Sequence, residues 1–111
     1  MAVVNSQATR HRPVGPGRRP QHPGQFLDSR FLKPLSLSQE SLAKSLGVSR
    51  RRINEIIKGR RGLTPDTALR LARYFGGDAE SWLNLQNAYD LKNAQKELAP
   101  KISKEVMPLA A

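Results

Sequence analysis

Apolar positions through the middle of the chain recur at three- and four-residue spacing, and each run is bounded by residues that start or stop a helix. Leu42, Ala43 and Leu46 form such a stripe, the pattern of a helix with one face on a core. Ser38 before it can accept an orphan backbone N–H, Gln39-Glu40 fill the first turn, and Gly47 follows where a left-handed residue is wanted. Ser49 opens the next run, in which Ile53, Ile56 and Ile57 give the buried face and Gly59 ends the helix. Thr64-Pro65-Asp66 is a cap, a proline at the first helical position and an acid. Ala68, Leu69, Leu71, Ala72 and Phe75 then form the inward stripe, and Gly76-Gly77 stops it. Asp78 caps a long last helix carrying Trp82, Leu83, Leu85, Tyr89 and Leu91, bounded at the far end by Pro100.

Upstream, Leu27 and Phe31 are four residues apart and share a helix face. Lys33-Pro34 ends that helix, because the residue before a proline is pushed out of the α region. No β-alternating run of useful length and no internal repeat is present. The expectation is an all-α fold of five helices over residues 25–98. Residues 1–21 read as a flexible basic arm: prolines at 13, 16 and 20 alternate with Gly15 and Gly17, and Arg10, Arg12, Arg18 and Arg19 meet no acid. Residues 22–98 form the domain, and residues 99–111 a short C-terminal tail.

Composition sharpens this picture through charge. The 111 residues carry a formal net charge of +10, which points to a polyanionic partner. Cysteine is absent, which excludes disulfides, thiolate metal sites and cysteine nucleophiles. No run approaches the roughly 20 apolar residues of a membrane span, and the N-terminus lacks the apolar run of a secretory signal. A soluble, cytoplasmic protein without a membrane partner is expected. His11 and His22 sit in the Pro/Gly-rich stretch, where solvated side chains are the default. No closely spaced His/Asp/Glu cluster suggests a metal, and no glycine-rich loop has phosphate-cradling spacing. Neither an enzyme nor a cofactor is expected.

The segment from Gln39 to Lys58 carries the functional argument. Two short helices joined at a glycine, the second one capped, fit a helix-turn-helix. Ala43 lies where the helices cross, and Val48, Ile53 and Ile56 hold the second helix to the first. That leaves Arg50, Arg51, Asn54, Glu55 and Lys58 on its polar face. The N-terminal residues of a recognition helix approach base edges in the major groove, and arginine is the common bidentate reader of guanine. Residues 49–61 hold six basic groups and one acid, whereas residues 78–99 hold four acids and two lysines. Three arginines at a helix N-terminus oppose the helix dipole, a placement that makes sense if an anion arrives.

Arg50 and Arg51 are therefore the expected base readers, Ser49 a phosphate contact, and Lys58, Arg60 and Arg61 backbone contacts. Arg52 either faces phosphate or a helix neighbour, and Glu55 either accepts from cytosine or pairs with an arginine. Gln39 either donates to phosphate or is an inert helix former; the first is favoured.

The stretch LSQESLAKSLGVSRRRINEIIKGRRGLTPDTALRLARYFGGDAESWLNLQNAYDL, with His22-Pro23-Gly24 upstream, resembles the HigA family of antitoxins within the Cro/cI-type (lambda-repressor-like, XRE) helix-turn-helix proteins. The resemblance covers residues 22–95. The helix-turn-helix alone specifies a Cro/cI-type binder; the RINEI, GRRGLTPDTALRLARYFG and WLNLQNAYDL blocks narrow it. Gln25, where the family frequently has an acid, is a small departure, and the arm of residues 1–21 lies outside the shared pattern.

The resemblance implies a dimeric autorepressor that binds operator DNA and silences a HigB-type mRNA-cleaving toxin by direct contact. By position it places Gln39, Ser49, Arg50, Arg51 and Lys58 at the DNA, and Trp82, Leu85 and Tyr89 where such antitoxins often dimerise. A tryptophan on an amphipathic helix is most often core, but the apolar arc of the last helix is wider than one stripe needs. Two alternatives stand beside this reading: a stand-alone phage- or plasmid-type repressor without a toxin, and a general basic nucleic-acid binder. The few aromatics argue against the latter's stacking on single strands.

Overall fold

The computed structural model describes residues 20–110, and among these it contains five helical segments and no strand. The first, α1, runs Pro23–Leu27, widens over Asp28–Leu32 and closes over Lys33–Leu35. It is followed by α2 (Gln39–Leu46), α3 (Arg50–Ile57), α4 (Pro65–Phe75) and α5 (Ala79–Glu105). The arm of residues 1–21 lies almost wholly outside the described residues.

The expected caps form. Ser38 accepts from the Ser41 N–H at 3.0 Å, Ser49 from Arg52 at 3.0 Å, Thr64 from Thr67 at 3.4 Å and Asp78 from Ser81 at 2.7 Å. Each such cap is worth about 1 kcal/mol against alanine. Hydrogen bonds from the Ser81 N–H and hydroxyl hold the Asp78 carboxyl below its ordinary pKa. Gly47 closes α2 at φ +72°, and Val48 donates back to the Ala43 carbonyl. That bond fixes the angle at which α3 leaves the turn.

The core joins all five helices: Leu27 and Leu32 from α1, Leu42, Ala43 and Leu46 from α2, Ile53 and Ile56 from α3, Ala68 and Leu71 from α4, and Trp82 from α5. Leu63 from the α3–α4 loop completes it. Its backbone N–H donates to Gln86 of α5 at 2.8 Å, which ties that loop to the last helix. Leu69 does not join the stripe; it is 63% exposed, because it lies about 100° around the helix from Ala68.

Four further features depart from the sequence reading. Proline does not end α1 at Lys33. The turn before it opens so that the Lys33 N–H reaches the Asp28 carbonyl five residues back, which relieves the clash a helical proline ring makes with the preceding turn. The helix ends at Ser36, which takes a left-handed φ of 51°. Pro100 likewise lies inside α5, which continues to Glu105. Leu98, Ile102 and Val106 keep a four-residue apolar spacing across it, so the helical face does not stop there, and the boundary at residue 98 falls within the helix.

Third, His22 is buried rather than solvated. Its Nδ1 accepts the Gly24 N–H at 2.9 Å and caps α1, while Tyr89 meets its ring edge-on at 4.9 Å. Burial holds its pKa below the ordinary value, against the opposing pull of Asp90. Fourth, Trp82 is 6% exposed and packs between Phe26 and Phe31, with centroids 5.7 and 5.5 Å away. Leu85 is half-buried against the same core and Tyr89 lies on His22. Trp82 takes its packing from its own chain, where Phe26 and Phe31 need an aromatic neighbour, whereas Leu85 and Tyr89 keep part of their surface exposed.

Gly24 is what lets α1 reach α3. A Cβ there would run into the Ile56 carbonyl and the Ile57 backbone, neither of which can rotate away. Gly24→Ala is expected to destabilise the domain by about 1–3 kcal/mol or more in denaturant unfolding, with Gln25→Ala, one residue along on an exposed position, unchanged.

Candidate nucleic-acid interface

Burial of Ile53 and Ile56 (0% and 1% exposed) fixes which way α3 faces. Each isoleucine withdraws about 1.5–3 kcal/mol of apolar surface from water, more than any exposed ion pair on this helix can oppose. The polar positions must therefore point outward. Arg50, Arg51 and Lys58 are exposed, and Arg52, Asn54 and Glu55 are half-buried along the edges. The other long helices carry an acid in the first turn, namely Glu40, Asp66 and Glu80, whereas α3 carries three arginines there and no acid. The N-terminus of α3 therefore combines a positive helix end with positive side chains, an arrangement that suits an arriving phosphate.

The basic residues among the expected contacts fall into three groups. Arg50, Lys58 and Arg60 are exposed and make no ion pair among the described residues. Arg51 and Arg61 share Glu55: Arg51 Nε lies 3.0 Å from Oε2, and Arg61 Nε and Nη2 lie 2.9 and 2.8 Å from Oε1. Hydrogen bonds from Arg51 first, then Arg61, hold the Glu55 carboxyl below its ordinary pKa, so it is ionised at neutral pH. Of the two readings open for Glu55, the arginine pair is the one realised within the chain.

Arg52 belongs elsewhere. Its Nη1 donates to Asp66 at 3.2 Å and meets the Thr67 hydroxyl at 3.5 Å. Of its two readings, the helix neighbour is the one the structure realises. Asp66 also accepts from Arg70 Nε at 2.6 Å, and Arg70 Nη1 donates to the Leu46 carbonyl at 2.8 Å. Arg70, then Arg52, lowers the Asp66 pKa by these bonds. The network runs from α3 through α4 to the turn between α2 and α3. The sequence signal for it was Asp66 and Arg70 at a four-residue spacing; their reach to the turn could not be read from spacing.

Asn54 Nδ2 donates to Gln39 Oε1 at 3.1 Å. This bond links the first residue of α2 to the middle of α3 across the motif, and sets the Gln39 amide at the edge of the exposed face. Ser49 spends its oxygen on capping α3, and its hydroxyl hydrogen stays available at the same helix end.

A helix-turn-helix family model matches residues 30–82. Virulence-associated protein I of Dichelobacter nodosus is 58% identical over 86 residues, covering 77% of this chain and 80% of its own. Antitoxin HigA-1 of Vibrio cholerae is 36% identical over 92 residues, covering 83% of this chain and 86% of its own. The chain belongs to the HigA antitoxin family. The structure of the Pseudomonas aeruginosa antitoxin HigA with the higBA promoter superposes on this chain with a TM-score of 0.80 at 40% identity, covering 83% of this chain and all (100%) of that one. The family is one of DNA-binding helix-turn-helix antitoxins and regulators, and no described helix here is long and apolar enough to cross a membrane.

Arg52 and Arg50 make different predictions. Arg52→Ala is expected to lower the thermal midpoint, because Asp66 loses a partner and α3 a tether. Arg50→Ala is expected to leave the midpoint unchanged. Calorimetry of both variants checks this; equal midpoints would remove Arg52 from the framework.

Proposed function

We propose that this chain is the antitoxin of a two-gene toxin–antitoxin module. It represses its own operon as a dimer on operator DNA, and it neutralises a HigB-type mRNA-cleaving toxin by direct binding. The observation that carries the DNA half is the set of exposed arginines at the capped N-terminus of α3, on a domain whose relative occurs with its promoter. Arg50 and Arg51 read base edges; Gln39, Ser49, Asn54, Lys58, Arg60 and Arg61 hold the duplex backbone and the register. Two-fold symmetry sets the two recognition helices about 34–36 Å apart, one turn of DNA.

The second copy docks on the outer side of α5. Trp82 is consumed by the core, but Leu91, Leu98 and Ile102 are 55%, 44% and 47% exposed. With Ala94 and Ala99 they line an apolar groove of about 410 Å³. The groove runs along the C-terminal half of α5 and is completed by Val106 and Pro108 beyond the helix end, an apolar surface that suits an isologous contact. Ile102→Glu is expected to shift sedimentation from dimer to monomer, and Lys101→Glu, on the neighbouring face, to leave it unchanged. A monomeric wild type at micromolar concentration would refute the dimer.

The toxin half is tested in cells. The small reading frame beside this gene is induced alone and together with this protein, while growth and translation are followed. The neighbour is expected to stop growth, and this protein to restore it through a complex that co-purifies. A harmless neighbour, or failed rescue, reduces the function to repression alone.

A further inference from the structure

Among residues 49–61, which hold six basic groups, the one acid is Glu55. An ionised carboxylate facing a duplex is repelled by phosphate, so its presence lowers affinity for any sequence. The Glu55 carboxylate bonds no core residue and bridges two side chains of its own surface. Both partners belong to that face, Arg51 from the first turn of α3 and Arg61 from the loop after it. Arg51 is 85% exposed while Glu55 is 25% exposed, so the acid sits beneath the guanidinium and steers it from behind.

We infer that Glu55 is a specificity-setting positioning residue, which holds Arg51 and Arg61 in one bridge and so trades general affinity for discrimination between sequences. This rests on the DNA-binding reading above. Two effects combine. Two guanidiniums and one carboxylate present a net charge of +1 instead of +2, which removes about one phosphate's worth of counterion release from binding to any duplex. The same bridge fixes the Arg51 fork before DNA arrives, so less side-chain freedom is lost when it meets a matching base edge. A mismatched base must either leave the bridge intact and go unread, or break it.

The test compares the wild type with Glu55→Gln and Glu55→Asp on the operator duplex and on a random duplex, across a salt series. For Glu55→Gln, the salt slope on random duplex steepens by about one. Its affinity gain between about 200 and about 50 mM salt exceeds the wild-type gain by about fourfold. The operator-to-random ratio falls. Glu55→Asp keeps the charge but is too short to span both arginines; it keeps the wild-type slope and still loses ratio. Equal shifts on both duplexes, with the ratio unchanged, overturn the inference. So does an unchanged random-duplex affinity with discrimination lost at a single base pair, since Glu55 would then be a direct reader. A wild type that does not distinguish operator from random duplex removes the sequence-specific reading itself, and this inference with it.

Discussion

The orientation of α3 depends on two isoleucines. Ile53 and Ile56 are almost fully buried beneath the helix-turn-helix, and their burial decides which residues of α3 face outward. Everything around them keeps that seat. Ala43 gives α3 room to cross α2, the Val48 to Ala43 bond sets the exit of the turn, and Gly24 lets the start of α1 lie against the end of α3. A helix held this way presents its polar face without its backbone having to order during binding, an ordering cost that mobile recognition elements bear.

Charge on this domain is organised in two layers. The inner layer, Arg52 with Asp66 and Arg70, fastens α3 to α4 and to the turn. The outer layer consists of exposed arginines and Lys58, with Glu55 and Gln39 bonding three of the polar side chains, Arg51, Arg61 and Asn54. Adjacent arginines in one first turn thus have unlike work: Arg50 is exposed without an ion pair among the described residues, Arg51 is steered, and Arg52 is structural. Residue type alone does not separate them. Their positions around the helix relative to Ile53 do.

Much of this was legible in the sequence. The five helices, the four side-chain caps at Ser38, Ser49, Thr64 and Asp78, and the identity of α3 followed from spacing, because these are local effects that depend on neighbours within one or two turns. What escaped were long-range outcomes. Pro34 and Pro100 read as helix ends, but a widened turn in one case and a continuing apolar face in the other carry the helix past them. His22 looked solvated among prolines and glycines, yet the fold returns it to Tyr89, 67 positions further along the chain, and uses its Nδ1 as a cap. Trp82 offered two uses at the sequence level; only the packing of Phe26 and Phe31 against it showed how much of the side chain the core consumes.

The central claim is that the exposed end of α3 reads sequence while its flank binds phosphate. The most direct measurement is operator binding by Arg50→Ala and Lys58→Ala at several salt concentrations, against a panel of single-base operator variants. Arg50→Ala is expected to lose about 1–3 kcal/mol on the operator and to tolerate changes at one base position. Lys58→Ala is expected to weaken all duplexes alike and to reduce the salt slope by about one. Uniform weakening by both substitutions, with every base position still discriminated, would contradict that claim.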